Sequence, residues 1–368
     1  MMIRDMRYSW LWCGLMAVCL CLMTACSDDS ESVQDERLLQ VAGVTRAGET
    51  LLSTEPVATD GMKIVMYVTP DAENTSQTVT SGELFYVVST NSWRSTVAIT
   101  ENDKYYLYGF MPASAVTSPV NPPVTPINNE YKNGANMTLG GLPAIGSQDV
   151  CVLVGVQRVE DETPKEPWTE DHLGHFEYQV GLANKNRAYL LMDHLYAALK
   201  FQFNVNAIYA GLRTIHLKEV TLKTDNSTVN ATVQLKKDEG ISSVSYSVSG
   251  GEKTIALLTE EDAEVVLPVA PAVTAIGSEY YCAPTAELFN TEGTHASIVC
   301  KYDIYDNNVT TGHPYGNLIR KDCMATNKLK LPSGMARGKK KILTLTVNPT
   351  YLYMLSEPDL DNPTIEVN

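Results

Sequence analysis

The chain lacks the motifs that mark most enzymes and cofactor proteins. It has no GxSxG nucleophile elbow, no P-loop and no GxGxxG, so serine-hydrolase, nucleotide-hydrolysing and dinucleotide chemistry have no foothold. No CxxC and no HExxH are present, which removes the usual zinc frameworks. Basic clusters are scarce: 28 Lys and Arg face 43 Asp and Glu, for a net charge of −15. So acidic a chain is a poor binder of polyanions, and nucleic acid is not an expected partner. No fixed-period repeat occurs, which argues against a propeller or solenoid. The apolar run Trp10–Leu22 covers 13 residues, where a membrane-spanning helix needs about 20. Beyond residue 46 only two tryptophans remain, Trp93 and Trp168, so exposed stacking platforms for sugars are few.

What is present begins at the N-terminus. Arg4 and Arg7 precede the apolar run, and Met23-Thr24-Ala25-Cys26 follows it. A basic start, an apolar stretch and small residues before a cysteine make a secretory signal with a lipoprotein-type cleavage site. This assigns residues 1–25 to a signal peptide and Cys26 to lipid attachment. The competing reading is an ordinary signal peptide with Cys26 a bystander. The acidic segment Ser27-Asp28-Asp29-Ser30-Glu31 comes next, then Leu38–Thr45, which can form one strand ahead of Arg46. Removing residues 1–46, which carry four Arg and six Asp or Glu, moves the net charge only from −15 to −13.

Eight cysteines are present, and four of them lie beyond residue 26: Cys151, Cys282, Cys300 and Cys323. Cys151 sits in Val150-Cys151-Val152-Leu153-Val154 and reads as a core thiol. In an exported chain Cys282–Cys300 and Cys300–Cys323 are both candidate bridges.

Past the leader, the apolar segments are short, rich in β-branched and aromatic residues, and bounded by turn formers. Strands are expected over Met62–Thr69, Leu84–Ser89, Tyr105–Met111, Val150–Val156, Ala198–Asn206, Thr214–Lys223, Thr228–Leu235, Val244–Val248, Ala263–Val269, Tyr280–Ala283, Ile298–Ile304 and Ile342–Val347. Ser118–Gly134, with four prolines, reads as a long loop. Arg187–Leu199 suits a helix or a strand plus a turn. Such a pattern means an all-β sandwich architecture, with a boundary placed near residues 182–195.

Several motifs carry resemblance to a known family. These are the lipoprotein start, an Arg some twenty residues past the lipid cysteine, Lys104–Pro112, Asp193–Val205 and the closing Ile342–Val347. Together they resemble the fimbrillins, lipoprotein-derived subunits of type V pili. The resemblance implies two tandem β-sandwich domains (transthyretin-like, Greek-key) with a C-terminal extension: 26–46 as a propeptide, 47–190 and 191–348 as domains, and 349–368 as a donor-strand tail. It implies an arginine-specific protease cutting between Arg46 and Ala47, removing the first strand and opening a groove. It also implies head-to-tail polymerisation with other pilus subunits, supporting adhesion. The precursor would be held in the outer membrane by its lipid, and the product would be an extracellular fimbria. By itself, Arg46 is one arginine in a linker.

The tail alternates after each proline. Tyr351-Leu352-Tyr353-Met354-Leu355 and Thr364-Ile365-Glu366-Val367 are extended pieces, and Tyr351, Tyr353, Leu355, Ile365 and Val367 are the candidate donor side chains. The alternative is a tail folded back on its own domain. Alternative functions are a pilus tip adhesin, an anchor subunit, or a surface lipoprotein that binds glycans.

No catalytic residue, metal or cofactor is expected. Asp171, His172 and His175 form an Asp-His-x-x-His cluster in a charged loop, better read as solvated than as metal ligands. His194 reads as a structural, hydrogen-bonded residue. Asp303, Asp306, Asn307 and Asn308 lack the spacing, Gly and terminal Glu of a calcium loop. Tyr106 and Tyr108 share a strand face, where core packing is the default. Arg337 and Lys339–Lys341 precede a strand and are expected to keep its edge soluble.

Overall fold

Strands carry nearly all the regular structure of the computed structural model, which describes residues 38–47, 61–70, 79–99, 104–158, 173–179, 187–262, 264–331, 334–351 and 358–367. The chain opens with β1 (Gln40–Ala47), β2 (Lys63–Pro70), β3 (Thr80–Val87), β4 (Ser92–Ser95) and β5 (Lys104–Met111). β6 (Val124–Ile127), β7 (Glu130–Pro143), β8 (Ile145–Gly146), β9 (Cys151–Arg158), β10 (Glu177–Gln179) and β11 (Arg187–His194) follow. β12 (Ala197–Val205) leads into a single helical turn, α1 (Ala207–Ala210), capped by the Asn206 side chain. β13 (Arg213–Thr224), β14 (Thr228–Lys236), β15 (Gly240–Ser249), β16 (Lys253–Leu258) and β17 (Val265–Val266) come next. The last strands are β18 (Thr274–Cys282), β19 (Ala296–Asp306), β20 (Leu318–Lys328), β21 (Lys340–Tyr351) and β22 (Pro358–Val367). Among the described residues no helix is long and apolar enough to cross a membrane.

The largest sheet has the order β1-β11-β9-β5-β2-β3-β4, with β10 beside β5. Its strand β5 is buried on both faces, and the sequence shows why this is permitted. Tyr105, Leu107 and Met111 point into a core made only of residues up to Met192, while Tyr106, Tyr108 and Phe110 point into a second, larger core. A strand alternates its side chains between faces, so an apolar residue at nearly every position serves two cores at once. Tyr106 and Tyr108 are thus packing residues, as their shared face suggested. The Tyr108 hydroxyl donates to the Tyr131 carbonyl at 2.7 Å, its ring lies 4.9 Å from that of Phe176, and burial pushes its phenol well above the ordinary range.

The larger core also gathers Phe201, Phe203, Leu343, Leu345 and Val347 from the sheet β22-β21-β12-β18-β8. Ile215, Leu217, Leu222, Ile298 and Ile304 join them from the sheet β16-β13-β19-β20. A fourth sheet, β15-β14-β7-β6, completes the architecture. The all-β expectation holds. Strands cross the boundary drawn at residues 190 and 191: β7 pairs with β14, and β8 with β18.

Several expectations need correction. Ser118–Gly134 is not wholly a loop, because it contains β6 and the start of β7. Glycine and asparagine disguise β7, yet Ala135, Met137, Leu139 and Leu142 are fully buried along it. Gly134 adopts φ +116°, and a Cβ there would lie 2.0 Å from the Leu235 carbonyl oxygen, so glycine admits the neighbouring strand. β16 and β20 were not anticipated, and Ala263–Val269 contributes only the two-residue β17. Arg187–Leu199 is a strand, a turn and the start of another strand. These four cysteines are buried and form no disulfide among the described residues, so neither candidate bridge forms.

Candidate assembly site

β1 runs parallel to β11, with Gln40 opposite Arg187, Val44 opposite Leu190, Arg46 opposite Met192 and Ala47 opposite Asp193. The register slips between Val41 and Gly43, leaving Ala42 as a bulge. Gly43 lies against the Tyr189 ring, where a Cβ would come within 3.1 Å of two ring carbons. Leu39 and Val44 are 0% and 1% exposed and belong to the smaller core. Full burial of such side chains contributes about 1.5–3 kcal/mol each.

The residues leading into β1 are held on their other side as well. The Leu39 amide donates to the Val97 carbonyl at 2.9 Å, and Leu38 bridges antiparallel to Ala98, just past β4. β11 stands at one end of the remaining sheet and β4 at the other, so the sheet curls until β1 sits between its two ends. Arg46 and Ala47 belong to this strand's backbone ladder rather than to a free linker. Cys26 and the signal segment lie outside the described residues.

At the opposite terminus, β22 pairs antiparallel with β21: Leu345 stands opposite Val367, Val347 opposite Ile365, and Tyr351 opposite Pro358. The backbone of the tail therefore forms an edge strand of its own chain's sheet. Tyr353 and Leu355 lie outside the described residues. In β21, Leu343, Leu345 and Val347 are buried while Ile342 is half exposed, which fits the alternation read from the sequence.

The remaining candidates fall into place as structure. His194 is fully buried, with Nδ1 2.5 Å from Asp149 Oδ2 and 3.5 Å from Cys151 Sγ. The thiol itself donates to Asp149 Oδ2 at 3.4 Å. Cysteine, histidine and carboxylate in one cluster invite a nucleophile or metal reading. Two features oppose catalysis. Both partners crowd the same imidazole nitrogen, whereas a relay needs one on each, and none of the three meets solvent. The cluster is a buried polar knot joining β9 and β11 to the segment before β9. Arg337 extends it, donating to Asp193 Oδ2 at 2.6 Å and to the His194 carbonyl at 3.0 Å. Asp149 was missed from the sequence. A histidine inside an apolar strand needs an acceptor, and that need was the available signal.

His175 pairs with Asp238 at 3.2 Å, both exposed, and Asp171 and His172 lie outside the described residues. Asp306 accepts the amides of Asn308 and Asn317 and the Asn317 side chain, while Asn307 accepts from Thr214. The calcium-like motif is therefore a turn staple. Asp303 is buried, accepting the Asp322 amide. Lys340 pairs with Glu279, and among the described residues β22 reaches β21 only from Leu345 onward. Trp93 is buried against Tyr86, with ring centroids 5.4 Å apart, and offers no platform.

No family model and no curated protein matches the chain. Among solved structures it is similar to a fimbrial protein from Bacteroides vulgatus, at 12% identity and a TM-score of 0.39, over 89% of this chain and 97% of that one. It is also similar to the fimbrial anchor protein Mfa2 from Porphyromonas gingivalis, at 9% identity and a TM-score of 0.30, over 90% of this chain and 97% of that one. At these scores the likeness carries no argument about function.

Proposed function

We propose that this chain is a structural subunit of a type V pilus, made as an outer-membrane lipoprotein and polymerised by protease-triggered strand exchange. One observation carries the reading. β1 pairs with β11, the residues just before it bridge to the segment following β4, and Leu39 and Val44 fill a core. Cutting after Arg46 and losing β1 exposes unpaired backbone on both flanks and two vacant apolar positions between them. A slot of that kind is a template for an added strand. The tail, with Tyr351, Tyr353, Leu355, Ile365 and Val367, is the proposed donor, and a shaft position is the proposed role. A head-to-tail contact is heterologous and builds an open filament.

A second reading has its own support. β22 already pairs with β21, which favours a subunit that keeps its tail, as an anchor, a tip adhesin or a resident surface lipoprotein would. Donation requires that pairing to open first. Treating residues 27–368 with an arginine-specific protease separates the two. The shaft reading expects a ladder of multimers that disappears when residues 349–368 are deleted. Cleavage without a ladder, or a ladder indifferent to the deletion, supports the retained tail.

A further inference from the structure

A groove of about 900 Å³ lies where the largest sheet meets the β15-β14-β7-β6 sheet. One wall is Lys104, Glu177 and Gln179 from β5 and β10, and the other is Lys132 and Asn133 from β7 with Lys237 from the turn after β14. Its floor is rigid, since Tyr106 and Phe176 are 6% and 3% exposed. One backbone bond joins the two sides, Asp238 N donating to Gly174 O at 3.3 Å, while Lys237 N to Asn133 O at 3.2 Å and Gly174 N to Val154 O at 2.7 Å hold each side in place. Gly174, at φ +76°, permits this approach, because a Cβ there would lie 2.2 Å from the Asp238 amide nitrogen. The groove is therefore built by the fold before any ligand arrives.

Its chemistry is unlike the rest of the chain. Among the described residues, three ammonium groups and the His175 imidazole line it with one carboxylate, Glu177, in a protein of net charge −15. Lys104 pairs with Glu177 at 3.0 Å, and Lys132 with Glu130 at 3.0 Å. Both pairs are well exposed, and such pairs are weak and readily exchanged. Lys237 forms no ion pair among the described residues. The Asn133 and Gln179 amides add donors and acceptors that suit hydroxyl groups. With its aromatic floor buried, the groove offers no deep apolar pocket of the kind that anchors a peptide side chain or an apolar small molecule.

We propose that this groove binds a carboxylate-bearing oligosaccharide, held by the three lysines and oriented by the two amides. The inference is independent of pilus assembly, because the groove is complete in the uncut chain. Isothermal titration of the uncut chain with trigalacturonate, maltotriose and triglutamate tests it. Trigalacturonate is expected to bind, more weakly as salt is raised, while maltotriose gives no signal. The double variant Lys132→Glu with Lys237→Glu is expected to lose about tenfold or more in affinity with an unchanged melting temperature, and the corresponding Lys→Arg pair to keep binding. Absence of trigalacturonate binding overturns the proposal, as does unchanged affinity in the Glu variant. Equal binding of maltotriose or triglutamate also overturns it, since the groove would then be reading only shape or only charge.

Discussion

The amide of Leu39 donates to the carbonyl oxygen of Val97 at 2.9 Å, joining the first described segment to the far end of the sheet whose other end is β11. Through that bond the residues leading into β1 are tied to the far end of the sheet, and Leu39 and Val44 are core rather than surface.

Shortening those side chains therefore carries a core penalty. Leu39→Ala is expected to destabilise the uncut chain by about 2–5 kcal/mol, read from urea unfolding. Gln40→Ala, at a half-buried neighbour, is expected to change little. A Leu39→Ala effect within experimental error would show that β1 does not fill the core.

The buried pair Asp149–His194 predicts a second large effect. Removing one member leaves the other uncompensated, so Asp149→Ala is expected to cost about 3–5 kcal/mol. Asp238→Ala, which breaks the exposed pair with His175, is expected to cost under about 1 kcal/mol. Chemical denaturation of both variants checks the contrast.

Burial governs the thiols. Desolvation pushes Cys282 up to about 12 and raises Cys300 further still, and the thiolate is the reactive form. A chain of residues 27–368, which keeps β1 and carries only these four cysteines, is expected to show no thiols reactive to a disulfide reagent when native, and four in denaturant. Rapid labelling of the native protein would contradict the burial.

Asp306 ties stability to pH. Hydrogen bonds, first from the Asn317 amide, hold its carboxyl below the usual 3.8. A depressed folded value means its contribution is present above the unfolded value and is lost as pH falls through the folded one. Asp306→Ala is expected to lower the melting temperature at neutral pH, with the difference from wild type shrinking as pH falls through the folded value. A difference independent of pH would rule out the carboxylate as its source.

Much of the architecture was legible because period-2 alternation survives in single strands. Ile342–Val347 reads as half buried and is so, and the doubled apolar pattern of Tyr105–Met111 reads as strand because both faces are covered. What stayed hidden was strand whose composition answers to a neighbour. β7 looks like loop because its glycines admit β14, and β20 looks like surface because most of its side chains face solvent. In the candidate site, Leu38–Thr45 was visible as a strand, but its partners were not. Nothing local to Gln40 points to Arg187, and nothing local to His194 points to Asp149.

The parallel direction of β1 has a consequence for the order in which the chain folds. Antiparallel neighbours such as β2 and β3 can close through a short connection, but Gln40 meets Arg187 only after all the intervening chain has been ordered. Long-range closures carry the larger entropic cost and come late. The first described strand is thus among the last to dock, and the sheet it joins is assembled without it.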